Sequence, residues 1–249
     1  MHHRAVIFTV ALAALSAACR RDSEPAGAAT TRSAELGRSS EPERGAIETV
    51  DVASDRAALV VAGVGAKAKR PIVYIHGMCG EAKSDLDAWS SGVRTHGTII
   101  ALEGDAACAN GGRTWSQDVA ALDRRVDTAI AAVRSVRGID LDASEVTVIG
   151  ESMGATRAVS LAARSPDKYT RLVLVGAPEK SSPKSVGNPK AVAVLAGEKE
   201  DQAPSQQTVE SLSAGGLNAK LWTLAGAVHG EYGPNGAATM SEALAFVSE

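Results

Sequence analysis

Gly150-Glu151-Ser152-Met153-Gly154 holds a serine between two glycines. The run Val146-Thr147-Val148-Ile149 just before it reads as strand, and residues 154–164 after it read as helix. A serine at such a strand-to-helix turn sits on a strained backbone that lifts its hydroxyl clear, and small neighbours let the chain pass closely on either side. The amides that open the helix are unpaired and carry partial positive charge, which suits a developing oxyanion. The chemistry this suggests is attack by Ser152 on a carbonyl carbon. A hydroxyl needs a base for that work, and the base needs a carboxylate to fix its tautomer. Of the five histidines, His2 and His3 lie in the first residues, His76 ends an apolar run, and His96 precedes another. His229 sits in Gly226-Ala227-Val228-His229-Gly230, between the last expected strand and the last helix. Carboxylates gather in Gly197-Glu198-Lys199-Glu200-Asp201-Gln202-Ala203-Pro204, where a solvated acidic turn is the plain alternative to a catalytic acid.

These residues need a frame. Short runs at 57–62, 71–76, 98–102, 145–149, 172–175, 191–196 and 219–225 are almost continuously apolar and read as strands. Helices are expected at 115–136, where apolar residues recur at threes and fours up to Gly138, and at 154–164, 205–214 and 237–248. Strands that alternate with helices, and that are apolar without a period of two, belong to a parallel sheet covered on both faces. The class is therefore α/β.

From residue 57 to 249 the chain resembles the α/β-hydrolase family, on the strength of the serine pentapeptide and of Ile72-Val73-Tyr74-Ile75-His76-Gly77-Met78. The second segment looks like that family's strand ending in His-Gly, which leads into its oxyanion loop. The resemblance implies a three-layer α/β sandwich around a mostly parallel sheet. It implies Ser152 as nucleophile and His229 as base, with the N–H groups of Met78 and Met153 as oxyanion donors and His76 ordering the loop. By the family's spacing the acid falls at Glu200, with Pro204 in step, whereas Asp201 has the commoner residue type one place late. Both stay open, and the chain order of nucleophile, acid and histidine fits. Residues 179–188, where relatives insert a helical lid, are few and polar, so a minimal lid or none is expected. Cys79 and Cys108 follow strands that are neighbours in the family, which implies a disulfide across the oxyanion loop.

The N-terminus reads differently. Residues 1–18 carry Arg4 and then an apolar stretch too short to span a bilayer, which is the pattern of a signal peptide. Leu15-Ser16-Ala17-Ala18-Cys19 resembles a bacterial lipobox, with Leu15 one place early, so both lipidation at Cys19 and plain cleavage stay open. Lipidation would account for the odd one among three cysteines, although three separate thiols would fit the count as well. Residues 19–48 are rich in Ser, Glu, Arg, Ala and Gly and read as a flexible tether, which leaves 49–249 as the hydrolase domain. An exported protein is expected, either a lipoprotein of the cell envelope that touches membrane only through Cys19 or, with plain cleavage, a periplasmic or secreted one.

A formal charge of -3 and 3% aromatic residues give no reason to expect nucleic acid. The loose glycine pattern from Gly63 meets Pro71 and a new strand too soon for the helix that a dinucleotide site requires. No cluster of His, Cys and carboxylates has metal spacing, and no cofactor is expected. Hydrolysis of a carboxylic ester or thioester, preferably of short or medium acyl length, is the leading expectation. A serine peptidase acting on short peptides shares the same chemistry. A non-catalytic, surface-tethered binding protein on the same scaffold is the third reading.

Overall fold

A computed structural model of the chain describes residues 45–109, 111–116 and 118–249. The signal segment, most of the tether and Cys19 lie outside the described residues.

Strands β1 (Ile47–Val50), β2 (Ala58–Val61), β3 (Pro71–Ile75) and β4 (Thr98–Leu102) come first, with helix α1 (Ala82–Trp89) between β3 and β4. A two-stranded hairpin of β5 (Ala106–Ala107) and β6 (Arg113–Thr114) leads into α2 (Val119–Arg137). Then β7 (Thr147–Glu151), α3 (Met153–Arg164), β8 (Arg171–Val175), β9 (Ala191–Gly197), α4 (Ala203–Ala214), β10 (Ala219–Leu224) and α5 (Gly236–Val247) alternate. Eight strands form one sheet in the order β1-β2-β4-β3-β7-β8-β9-β10. Pairing is antiparallel from β1 through β2 to β4, and parallel from β4 to β10.

Burial on both faces explains the continuous apolar runs. Along β3, Val73 and Ile75 join one core with Val126, Ile130 and Val133 of α2 and Leu161 of α3. Ile72 and Tyr74 point the other way, into a core with Leu86 and Trp89 of α1 and Met240 and Leu244 of α5. Period-two alternation is present, but both sides face helices and both sides are apolar.

Two boundaries and one helix stand out against the sequence expectation. The chain enters the sheet at Ile47, inside the stretch read as tether, because the two polar residues of Ile47-Glu48-Thr49-Val50 sit on an edge strand. Helix α2 starts at Val119, not at Trp115, because the Asp118 carboxylate accepts the Ala121 N–H at 2.7 Å and caps the helix there. Helix α1 was not expected. It has one buried face, Ala82, Leu86 and Trp89, on a segment of eight residues, too short for its period to stand out. Residues 179–188 form turns between β8 and β9 with no helix, and Val186 is buried among them.

Candidate active site

β7 delivers Ser152 straight into α3. Ser152 takes φ +50° and ψ -115°, a strained conformation for a residue with a side chain, and its N–H donates to the Val175 carbonyl at 2.8 Å. The turn is tight enough that a Cβ at Gly154 would stand 2.0 Å from the Ile75 carbonyl oxygen, so only glycine lets α3 start against β3.

His229, on the loop after β10, reaches both of its expected partners. Its Nε2 lies 2.9 Å from Ser152 Oγ, and its Nδ1 lies 2.8 Å from Glu200 Oε2. An ionised Glu200 can only accept, so Nδ1 carries the proton and Nε2 is left to accept from the serine hydroxyl. Glu200 is itself fixed, because its other oxygen accepts the Gly197 N–H at the end of β9. Gly176 (φ +53°) gives the imidazole room, since a Cβ there would sit 3.1 Å from the ring. Of the two carboxylates that spacing left open, Glu200 is the one against His229. Asp201 is exposed, and its Oδ1 accepts the Ala203 N–H where α4 begins. His96 lies elsewhere, with its Nε2 3.0 Å from Ser241 Oγ on α5.

The loop after β3 forms the opposite wall. His76 is fully buried; its Nε2 accepts the Gly104 N–H at 3.0 Å and its Nδ1 donates to the Gly77 carbonyl at 2.7 Å. Those two bonds require the neutral ring, and burial together with nearby Arg113 and Arg125 lowers its pKa accordingly. Its ring packs 4.9 Å from that of Trp115, whose Nε1–H donates to the His76 carbonyl at 2.8 Å. Trp115 was read from sequence as a helix residue, and nothing in its neighbourhood there signals this task. Cys79 and Cys108 are bonded, with Cα atoms 5.6 Å apart, which ties the loop to the β5–β6 hairpin. The Arg113 N–H adds a backbone bond to the Gly80 carbonyl at 3.1 Å. Met78 stands on this loop, 63% exposed at the rim, and Met153 opens α3 beside Ser152, so the two expected oxyanion donors come from the two sides of the serine.

Between the walls lies an open cleft of about 270 Å³, lined by Ser152, His229, Met78, Gly230, Asp85 and Glu151 among others. The last two were not foreseen as site residues, although Glu151 lies inside the serine motif. Burial, reinforced by the Asp85 charge, pushes Glu151 up to about 7. Burial also raises Asp85 to about 6, against the bond from Tyr74 and with help from Glu103 and Glu81. Among the described residues, no group of His, Cys, Asp and Glu is arranged to hold a metal ion.

Such a constellation can pass a proton from serine to histidine while a carboxylate steadies the resulting imidazolium. No family model matches the sequence, and no curated protein does. Solved structures do match. The fluorophosphonate-binding serine hydrolase FphF of Staphylococcus aureus superposes with a TM-score of 0.60 at 13% identity, over 82% of this chain and 99% of that one. TT1662 from Thermus thermophilus gives 0.56 at 16%, over 83% and 99%. A hormone-sensitive lipase from a metagenome library gives 0.56 at 15%, over 83% and 86%. Sheet order, helix layers and these likenesses agree: the chain has the α/β-hydrolase fold.

Proposed function

We propose that the protein is a serine hydrolase that cleaves a carboxylic ester or thioester through an acyl-enzyme on Ser152. The observation that carries this is the position of His229, in hydrogen-bond reach of Ser152 on one side and Glu200 on the other. As the Ser152 oxygen attacks the carbonyl carbon, its proton passes to His229 Nε2. Glu200 holds the ring in the right tautomer and stabilises its positive form. The carbonyl oxygen gathers negative charge, which the N–H groups of Met78 and Met153 receive. The imidazolium then protonates the leaving alcohol or thiol. Water attacks the acyl-enzyme by the same route, with His229 again as base. The likeness to a fluorophosphonate-binding serine hydrolase and to an esterase/lipase from an uncultured bacterium supports this chemistry.

The open cleft and the short turn segment at 179–188 favour soluble esters of short or medium acyl length over emulsified fats, since there is no large apolar lid surface to uncover at an interface. Export, with Cys19 as lipid site or first mature residue, belongs to the same proposal, and the Cys79–Cys108 bond suits an oxidising compartment.

The test is hydrolysis of p-nitrophenyl butyrate by wild type and by Ser152→Ala. The variant should fold, by circular dichroism, and lose turnover by a factor on the order of 10⁶. A folded Ser152→Ala protein with substantial turnover would end the proposal.

A further inference from the structure

Two carboxyl groups line the cleft and take no part in the proton relay. Glu151 is 94% buried, the complement of its 6% exposure, yet it borders the open space beside Ser152. It stands between the two walls. Its Oε2 lies against Gly77, whose N–H it accepts, and its Oε1 lies 4.0 Å from where a Cβ on Gly230 would stand. Asp85 of α1 lines the same space, with its Oδ2 accepting the Tyr74 hydroxyl at 2.7 Å. Tyr74 is in turn 3.2 Å from the Tyr232 hydroxyl, so the carboxyl is anchored from behind by neutral groups.

Among the described residues that line the cleft, these carboxyls have no lysine or arginine beside them. Burial raises Asp85, and the charges of Glu103 and Glu81, both acidic, add to it. Asp85 and Glu200 help burial to raise Glu151, and the charge of a protonated His229 opposes them. No other cationic side chain lines the cleft among those residues. Buried carboxylates are ordinarily paired or hydrogen-bonded in full, because an unpaired buried charge is costly. Their position at the nucleophile, and not in a sealed core, means that a bound substrate is what can reach them.

We infer that Asp85 and Glu151 form a subsite for a cationic group on the substrate, and that the preferred ester carries a primary ammonium. The donor count favours an ammonium over a quaternary ion. An –NH₃⁺ group offers three N–H donors to two carboxylates, whereas a quaternary ammonium is best held by aromatic faces, and among the described residues no Phe, Tyr or Trp lines this cleft. Occupation by the cation would let both carboxyls ionise together, offsetting the burial and the repulsion from Asp85 that raise Glu151. The inference rests on the proposal that Ser152 is the nucleophile of an ester hydrolase, and names its substrate class.

Isosteric ester pairs test it. Methyl 6-aminohexanoate against methyl heptanoate puts the ammonium on the acyl side, and 5-aminopentyl acetate against hexyl acetate puts it on the leaving side. At pH 8.5, in low salt, wild type should favour the ammonium ester in at least one pair by about tenfold in kcat/KM, the factor one charge-assisted hydrogen bond supplies. That ratio should fall at least about fivefold in Glu151→Gln and in Asp85→Asn, and shrink with added salt. The ratio is internal to each variant, so a general loss of activity does not mimic the effect, and Asp85→Asn serves if Glu151→Gln fails to fold. Preference for the neutral ester in both pairs, or a ratio untouched by either substitution, would overturn the inference while leaving the Ser152 reading standing. Absence of turnover for all four esters, with no fluorophosphonate adduct on Ser152, would remove that reading and this inference with it.

Discussion

On one wall of the cleft, the loop after β3 is gripped by a disulfide, a backbone bond from Arg113 and a buried histidine packed on Trp115. On the other, the His229 side chain is 50% exposed and steadied mainly by Glu200. Under the proposed chemistry, the difference matches what each wall would have to do. Amides that receive an oxyanion help only if their dipoles are fixed before the charge develops, so their loop is built like a core. A base that trades protons with serine, leaving group and water needs access, and its orientation can rest on one good hydrogen bond. Damage to the exposed wall should therefore strike activity alone, while damage to the buried wall should strike activity and stability together.

The largest effects are expected at the exposed wall. His229→Ala should lower kcat by a factor on the order of 10⁵ to 10⁶, and Glu200→Gln by about 10⁴, with melting temperatures within a few degrees of wild type. Asp201→Asn should change kcat less than about threefold, because Asp201 touches only the start of α4. A larger loss in Asp201→Asn than in Glu200→Gln, in steady-state kinetics on one ester, would reverse the assignment.

The buried wall gives the second tier. Trp115→Phe removes the donor to the His76 carbonyl and strands it in the core, at a cost of about 1–3 kcal/mol in stability. Urea unfolding should register that loss, and kcat should drop by about tenfold as the loop loosens. Cys79→Ser with Cys108→Ser opens a link across 29 positions, worth about 3–4 kcal/mol by loop entropy. An unchanged urea midpoint in either variant would contradict the picture of a gripped loop.

The smallest effect concerns pH. Glu151 and Asp85 titrate near 7 and 6 in the folded chain, against about 4 when unfolded. The folded state thus binds more protons between about pH 4 and 7, and stability should fall as pH rises through that window. Glu151→Gln should flatten the decline and melt above wild type at pH 8. Melting curves that rise in parallel from pH 5 to 8 for both proteins would contradict the assigned shift.

The fold was largely legible in the sequence because its strands are short apolar blocks separated by turns and helices. The pentapeptide around Ser152 and the position of His229 were legible too, since their spacing is imposed by one strand-to-helix turn and one loop. Glu200 against Asp201 was not decidable, because a one-residue choice in a loop depends on backbone bonds such as that from Gly197 to Glu200. Trp115, Asp85 and Glu151 escaped notice for another reason. Their roles arise from contacts across 39 residues, from Trp115 to His76, or from elements brought together only by the sheet. Helix α1 shows the same limit, since eight residues carry too little period to announce a helix that brings Asp85 to the site.

The proposed chemistry requires Ser152 to be activated by His229 and to become a covalent intermediate. Incubation of the purified protein with a fluorophosphonate, followed by intact-mass and peptide mass spectrometry, addresses it most directly. A single adduct is expected, carried by the peptide containing Ser152, absent in Ser152→Ala and formed orders of magnitude more slowly in His229→Ala. No adduct on folded wild-type protein, an adduct on another serine, or equal labelling rates with and without His229 would contradict it.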